Sequence, residues 1–264
     1  MNKVDELTRV IWALCLFSLL PLLAACDHID SSDELIYVPQ PPAKRVVLLE
    51  DYTGQMCVNC PNGSEVIEQL LEAYPDNLIA VGIHGGPLGF KGNSRTMGLA
   101  TELGDEYYNH WKLEYQPVGL INRHGAVNYT NWIAAVKAEV LKDSYVEMSL
   151  SAVLQDNQIL IEVGEQSLRG GYQGKVQVWV LEDGITASQK MPDGSTNPAY
   201  VHQHVLRAVV NGTWGEDLQV AEGKAKDQTY KFAVDPSWNK ANLSVVAFVY
   251  NDQGVEQAIK AKVE

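Results

Sequence analysis

Apolar residues follow three regimes along the chain. Residues 11–25, IWALCLFSLLPLLAA, carry no charge. From Val46 to Leu141, short continuous apolar runs alternate with stretches of helical spacing. From Tyr145 onward, alternating runs replace helical spacing. Each regime predicts a different kind of structure.

In the middle regime, Val46-Val47-Leu48-Leu49 reads as a strand buried on both faces. Val66, Ile67, Leu70, Leu71 and Tyr74 then recur at helical spacing, opposite Glu65, Glu68, Gln69 and Glu72. Pro75-Asp76-Asn77 closes this helix, and Leu78 to Ile83 forms a second buried strand. A strand–helix–strand of this size predicts two parallel neighbours. Gln116 to Val127 reads as a hairpin: Pro117, a strand, a polar turn with Gly and a second strand. Trp132 to Leu141 is a terminal helix with Asn131 as its N-cap. Residues 84–115 form an insertion, a Gly-rich loop followed by a predicted helix from Met97 to Trp111. Its aromatic residues, Tyr107, Tyr108, Trp111 and Tyr115, with His110, read either as core or as a groove.

In the last regime, strands are predicted at Val146–Leu154, Ile159–Val163, Val176–Leu181, Val205–Val210, Thr229–Val234, Leu243–Tyr250 and Val255–Val263. Seven or so strands with turns between them predict an antiparallel β-sandwich. Asn251-Asp252-Gln253-Gly254 reads as the last hairpin turn. Residues 183–201, with Gly184, Pro192, Gly194 and Pro198, read as a long exposed loop. His202 and His204 read as sharing one face of a strand, two ligands with no third nearby, so no metal site is assigned.

The 264 residues are 46% hydrophobic and 20% charged, a globular composition with room for two domains. Asp plus Glu is 33 against 20 Lys plus Arg, a formal charge of −13. That balance excludes a nucleic-acid partner, which needs clustered cations, and adhesion to anionic lipid through basic residues.

The uncharged stretch has signal-peptide length and flanks, is shorter than the ~20 apolar residues of a membrane span, and is interrupted by Pro21. It ends Leu23-Ala24-Ala25-Cys26, which resembles the lipobox of bacterial lipoproteins. The resemblance implies removal of residues 1–25 and lipid on the Cys26 thiol and its new amino group. Several acyl chains anchor stably where one anchors marginally. Residues 26–43, acidic and then Pro-rich, read as a tether. Cys15 leaves with the signal and Cys26 is blocked, so two thiols remain, Cys57 and Cys60. Both are expected outside the cytoplasm, where disulfides persist.

These two form a Cys-x-x-Cys at the hand-over from strand to helix. Cysteines at this spacing can close a disulfide, and a helix N-terminus lowers the pKa of the leading thiol. A metal site would need further ligands, and His84, His110 and His124 lack a paired spacing. An inert structural disulfide is the other reading. Cys-x-x-Cys beside a strand–helix–strand pattern points to a thioredoxin-like redox motif.

Two more residues carry the resemblance to thioredoxin-like domains: Asp51, six positions before Cys57, and Pro117 ahead of its strand. The resemblance implies that Cys57 is the nucleophile, nearest solvent, and that Cys60 resolves the mixed disulfide. It further implies that Asp51 manages the Cys60 proton from beneath the pair and that Pro117, cis, aligns substrate backbone. Met56 stands where thioredoxins usually have Trp, and Val58-Asn59 where they have Gly-Pro. These departures leave oxidant, reductant and structural bridge open.

The block Glu50-Asp51-Tyr52-Thr53-Gly54 with Cys57-Val58-Asn59-Cys60-Pro61, the segment Tyr200-Val201-His202-Gln203-His204-Val205-Leu206-Arg207-Ala208 and the lipobox together resemble one family. It is the Bacteroidetes outer-membrane lipoproteins described as the twenty-eight-kilodalton outer membrane protein and its relatives. The expected fold is an α/β thioredoxin-like domain (residues 44–143, with the insertion 84–115) followed by an all-β immunoglobulin-like sandwich (145–264). The resemblance implies an outer-membrane location. Two functions are in view: a thiol–disulfide oxidoreductase with cysteine-containing envelope proteins as clients, or a non-enzymatic surface lipoprotein whose sandwich binds a protein or glycan. No cofactor is expected.

Overall fold

The computed structural model describes residues 40–264. The described residues belong to one compact unit. The expected signal peptide 1–25, Cys26 and residues 27–39 of the expected tether lie outside them.

The first part contains β1 (Ala43–Lys44), β2 (Val47–Thr53), α1 (Cys60–Ala73), β3 (Leu78–His84), α2 (Glu102–His110), β4 (Val118–Ile121), β5 (Ala126–Asn128), α3 (Trp132–Val140) and β6 (Asp143–Ser144). The second contains β7 (Val146–Gln155), β8 (Gln158–Ser167), β9 (Tyr172–Glu182), β10 (Ile185–Lys190), β11 (Thr196–His202), β12 (Val205–Val209), β13 (Glu216–Val220), β14 (Ala225–Ala233), β15 (Leu243–Asn251) and β16 (Gly254–Lys262). A mixed α/β region thus precedes a larger β-rich one.

One nine-stranded sheet runs through both, in the order β16-β15-β9-β12-β3-β2-β4-β5, with β13 also on β9. β2 and β3 are parallel, in register from Val47 with Leu78 to Thr53 with His84, as the strand–helix–strand pattern requires. β4 is antiparallel to β2, and β5 to β4. The two regions join where β12 meets β3, Val205 opposite Gly82, and the Gly82 amide donates to the His204 carbonyl at 2.8 Å.

Period-two alternation sorts the side chains of this sheet onto two faces. Leu48, Tyr52, Val81, Ile83, Trp179, Leu181, Val246 and Phe248 build one continuous core with Tyr107 and Tyr108 of α2. The opposite face carries two clusters. Val47, Leu49, Leu78 and Ala80 pack under α1 and α3, against Ile67, Leu70, Trp132 and Val136. Val176, Val178, Val245 and Ala247 pack against Ile159, Ile161 and Val163 of the three-stranded sheet β14-β8-β7.

Two sequence expectations are corrected. The helix expected from Met97 begins at Glu102, because Thr101 is extended and its hydroxyl caps the helix by accepting from the Gly104 amide. Residues 183–201 are not an exposed loop. They form most of the antiparallel hairpin β10–β11, paired from Ile185 with His202 to Lys190 with Thr196. Its inward residues Ile185, Ala187 and Gln189 are buried. Gly184, Pro192 and Gly194 punctuate the segment, but Pro192 and Gly194 fall in the turn. Pro198 is tolerated because a two-stranded ribbon leaves an unpaired edge.

Candidate functional site

β2 delivers the chain to the N-terminus of α1 through a turn in which the Cys57 amide donates to the Gly54 carbonyl at 3.1 Å. Pro61 sits in the first helical turn, where no amide donor is needed. Cys57 and Cys60 are joined by a disulfide, with Cα atoms 5.4 Å apart. The expectation that Cys57 faces solvent is corrected: Cys57 is 1% and Cys60 2% exposed. The flanking side chains turn outward instead, Met56 at 47% and Val58 at 41%.

Two segments cover the pair. The first is the insertion, whose Leu88 carbonyl accepts from the Met56 amide at 3.0 Å. It passes so close to Gly54 that a Cβ there would collide with Leu88. The second is the β10–β11 hairpin. The Gln189 side-chain amide donates to the carbonyls of Cys57 at 2.9 Å and Gly54 at 3.3 Å. The Lys190 amide donates to the Gln55 carbonyl at 2.9 Å. Gln55 answers by donating to the carbonyls of Ser188 (2.9 Å) and Met97 (3.1 Å), and it accepts from the Leu99 amide at 2.7 Å. Gln55 and Gln189 thus tie the cysteine turn, the insertion and the hairpin together. Sequence reasoning missed both. The only trace of Gln189 is its place in the alternation Ile185, Ala187, Gln189.

The Gln116–Pro117 bond is cis. Pro117 lies against the first turn of α1: a Cβ at Gly63 would stand 3.3 Å from its ring. Gln116 holds this corner, donating to the carbonyls of Thr53 (2.8 Å) and Gly85 (2.9 Å) and accepting from the Leu88 amide (3.0 Å).

Asp51 points from β2 toward α1 and is 3% exposed. Its Oδ1 has no hydrogen-bond partner among the described residues. It borders a cavity of about 40 Å³ shared with Ser64, Glu68, Gly82 and Tyr200, large enough for water. Ser64 lies one helical turn beyond Cys60, and its hydroxyl donates to the Cys60 carbonyl at 3.4 Å. Burial pushes the Asp51 carboxyl up to about 8. The fold therefore gathers Cys57, Cys60, Asp51 and Pro117 around one helix start.

The histidines separate. His202 is buried, with its ring centroid 5.2 Å from that of His84, edge to face. Burial keeps both imidazoles neutral, holding His84 down at about 3 and His202 at about 4. His204 does not share a strand face with His202: the strand ends at His202, and His204 turns with φ 54° so that its amide meets Asp183 at 2.6 Å. Among the described residues, no three His, Cys, Asp or Glu side chains are grouped to hold a metal ion. The aromatic insertion divides, with Tyr107 and Tyr108 in the core and His110 and Trp111 lining a cleft.

A family model described as outer membrane protein Omp28 matches residues 104–264. No curated protein matches. Among solved structures, HBP35 of Porphyromonas gingivalis is 16% identical with a TM-score of 0.67, over 85% of this chain and 77% of that one. A protein of Agrobacterium tumefaciens is 16% identical with a TM-score of 0.51, over 85% and 96%. A domain of the outer membrane lipoprotein Omp28 from Porphyromonas gingivalis is 29% identical with a TM-score of 0.34, over 46% and 89%. At 16% identity the first two likenesses show a shared fold. The family match covers more than half of the chain, which belongs to the Omp28 family of outer membrane proteins.

Proposed function

We propose that this protein is an outer-membrane lipoprotein, anchored by lipid on Cys26, whose thioredoxin-like α/β region exchanges disulfides with cysteine-containing envelope proteins. The Omp28 family match and the lipobox Leu23-Ala24-Ala25-Cys26 support the location. The parallel β2–β3 pair, antiparallel β4–β5 and the helices α1 and α3 on one face support the thioredoxin-like reading. The β-rich region, two packed sheets, fits the immunoglobulin-like sandwich.

The observation that carries the redox reading is Asp51. An unpartnered carboxyl buried beside a helix start costs stability, and a purely structural disulfide has no use for it. A disulfide that opens does. A client thiolate attacks Cys57 Sγ, the Cys57–Cys60 bond breaks, and Cys60 leaves as a thiolate. Asp51, protonated at neutral pH and buried behind the start of α1, gives its proton to that sulfur. A second client thiolate then attacks the client sulfur of the mixed disulfide. The client leaves oxidised, and Cys57 is released reduced. Run backward, the same steps reduce a client disulfide. Pro117 lies against the first turn of α1, where client backbone would pass. Because Gln189 and the Leu88 segment cover Cys57, the hairpin yields before a client reaches it.

The burial of both cysteines favours a second reading, a retained structural bridge in a surface-binding lipoprotein. Trapping separates the two. Cys60→Ser leaves Cys57 free and should accumulate mixed disulfides with envelope proteins on non-reducing gels, whereas Cys57→Ser should not. Equal absence of adducts in both variants contradicts the exchange reading.

A further inference from the structure

A buried acid that acts more than once needs a route to solvent. On the exchange reading, on which this inference rests, Asp51 gives a proton to Cys60 and is left as a carboxylate. Bulk water must then return a proton to it. The cavity of about 40 Å³ beside Asp51 offers the way. Asp51, Ser64 and the small residue Gly82 form its inner end, where the buried Asp51 Oδ1 has no hydrogen-bond partner among the described residues. Glu68, Val201 and Gln203, all exposed, carry its lining to the surface.

Tyr200 is the half-buried aromatic of that lining. Its hydroxyl lies beside the Ser64 hydroxyl, and burial pushes it up, so it stays protonated while Asp51 titrates. With Asp51 Oδ1, the two hydroxyls give a water three polar partners, the usual number for a buried one.

Tyr200 belongs to the ribbon that covers the cysteines. It stands opposite Ala187 in the β10–β11 register, and cross-strand partners share a face. Ala187 and Gln189 alternate onto that same inward face. One side of one hairpin therefore presents Gln189 to the Cys57 carbonyl and Tyr200 to the Asp51 cavity. We propose that Tyr200 is a positioning residue that seals the Asp51 cavity, so that lifting the hairpin uncovers the disulfide and opens Asp51 to solvent in one motion.

Hydrogen-exchange mass spectrometry of the full-length protein in detergent, from about pH 5 to 8, tests this. The Lys190 amide, bonded to the Gln55 carbonyl at 2.9 Å, reports hairpin opening. Closed, Asp51 keeps its proton up to about 8; in water a carboxyl of this type releases it at ~3.9. Opening between those values frees a proton and becomes easier as pH rises. Corrected for intrinsic exchange, hairpin protection should fall with pH, by up to about tenfold per unit for a fully coupled proton.

Asp51→Asn should abolish that slope. This control separates Asp51 from Glu65 and Glu68 of α1 and from His204 after β11, the other titratable groups around Tyr200 and the cavity. His84 and His202, at about 3 and 4, titrate below the range. Tyr200→Phe, which keeps the ring, should keep the slope. Tyr200→Ala should lose most of it while amides of β9 stay protected. Equal slopes in the parent and Asp51→Asn overturn the proposal, as does a full slope in Tyr200→Ala. So does a hairpin that exchanges only as slowly as β9, because it then has no opening of its own. The parent and Asp51→Asn comparison decides the coupling even where Tyr200→Ala loosens the hairpin outright. No client enters these measurements, so they can fail while mixed-disulfide trapping succeeds, and the reverse.

Discussion

Arg123 and Glu50 form an ion pair sealed from water, Nε to Oε1 2.7 Å, with side chains 2% and 1% exposed. The Tyr52 hydroxyl donates to the other Glu50 oxygen at 2.8 Å. Glu50 belongs to β2 of the α/β region. Arg123, in the β4–β5 turn, also packs over Phe248 and Tyr250 of β15 in the β-rich region. The pair therefore clamps the two regions across their shared core. Arg123→Ala would leave a buried carboxylate unpaired, which costs about 3–5 kcal/mol. Denaturant unfolding should show that loss. A loss below about 1 kcal/mol, the worth of an exposed pair, would contradict the clamp.

Asp51 gives stability an unusual pH dependence. Unfolded, it titrates near ~3.9; folded, at about 8. Between those values the folded state keeps a proton that the unfolded chain has released. Stability therefore falls as pH rises through this window, by ~1.4 kcal/mol per pH unit for a fully retained proton. Asp51→Asn should be more stable than the parent at roughly pH 8, and its stability should lack this downward slope. Urea midpoints across the window measure both. Parallel pH profiles for parent and variant would contradict a raised Asp51.

Gln189 holds the hairpin over the cysteine turn through side-chain bonds to Gly54, Cys57 and Lys190. Each net bond is worth ~0.5–1.5 kcal/mol, and local opening should become easier by a comparable amount when they are removed. Gln189→Ala should speed reduction of Cys57–Cys60 by dithiothreitol about tenfold, the equivalent of ~1.4 kcal/mol, as followed by thiol labelling. An unchanged rate would mean that the hairpin does not control access.

The local pattern made much of this fold legible. Continuous apolar runs marked β2 and β3, helical spacing marked α1, the strand–helix hand-over placed the two cysteines, and the resemblance to thioredoxin-like domains pointed to Asp51 and Pro117. The rest depends on partners distant in sequence. Gln189 meets Cys57 across 132 residues, and Arg123 meets Glu50 across 73. A glutamine among turn residues reads as solvated until the strand that buries it is known. An arginine after Asn122 reads as turn chemistry until a buried carboxylate is placed beside it. The shared sheet was hidden for the same reason, since β12 reaches β3 by a single bridge that leaves no periodic trace.

Redox titration of Cys57 and Cys60 in the folded protein, read by thiol labelling, tests the central claim most directly. A disulfide that exchanges with clients should have a midpoint between about −120 and −270 mV, the span of working oxidoreductases. A midpoint below about −300 mV, or cysteines that label only after unfolding, would contradict it and mark the bridge as structural.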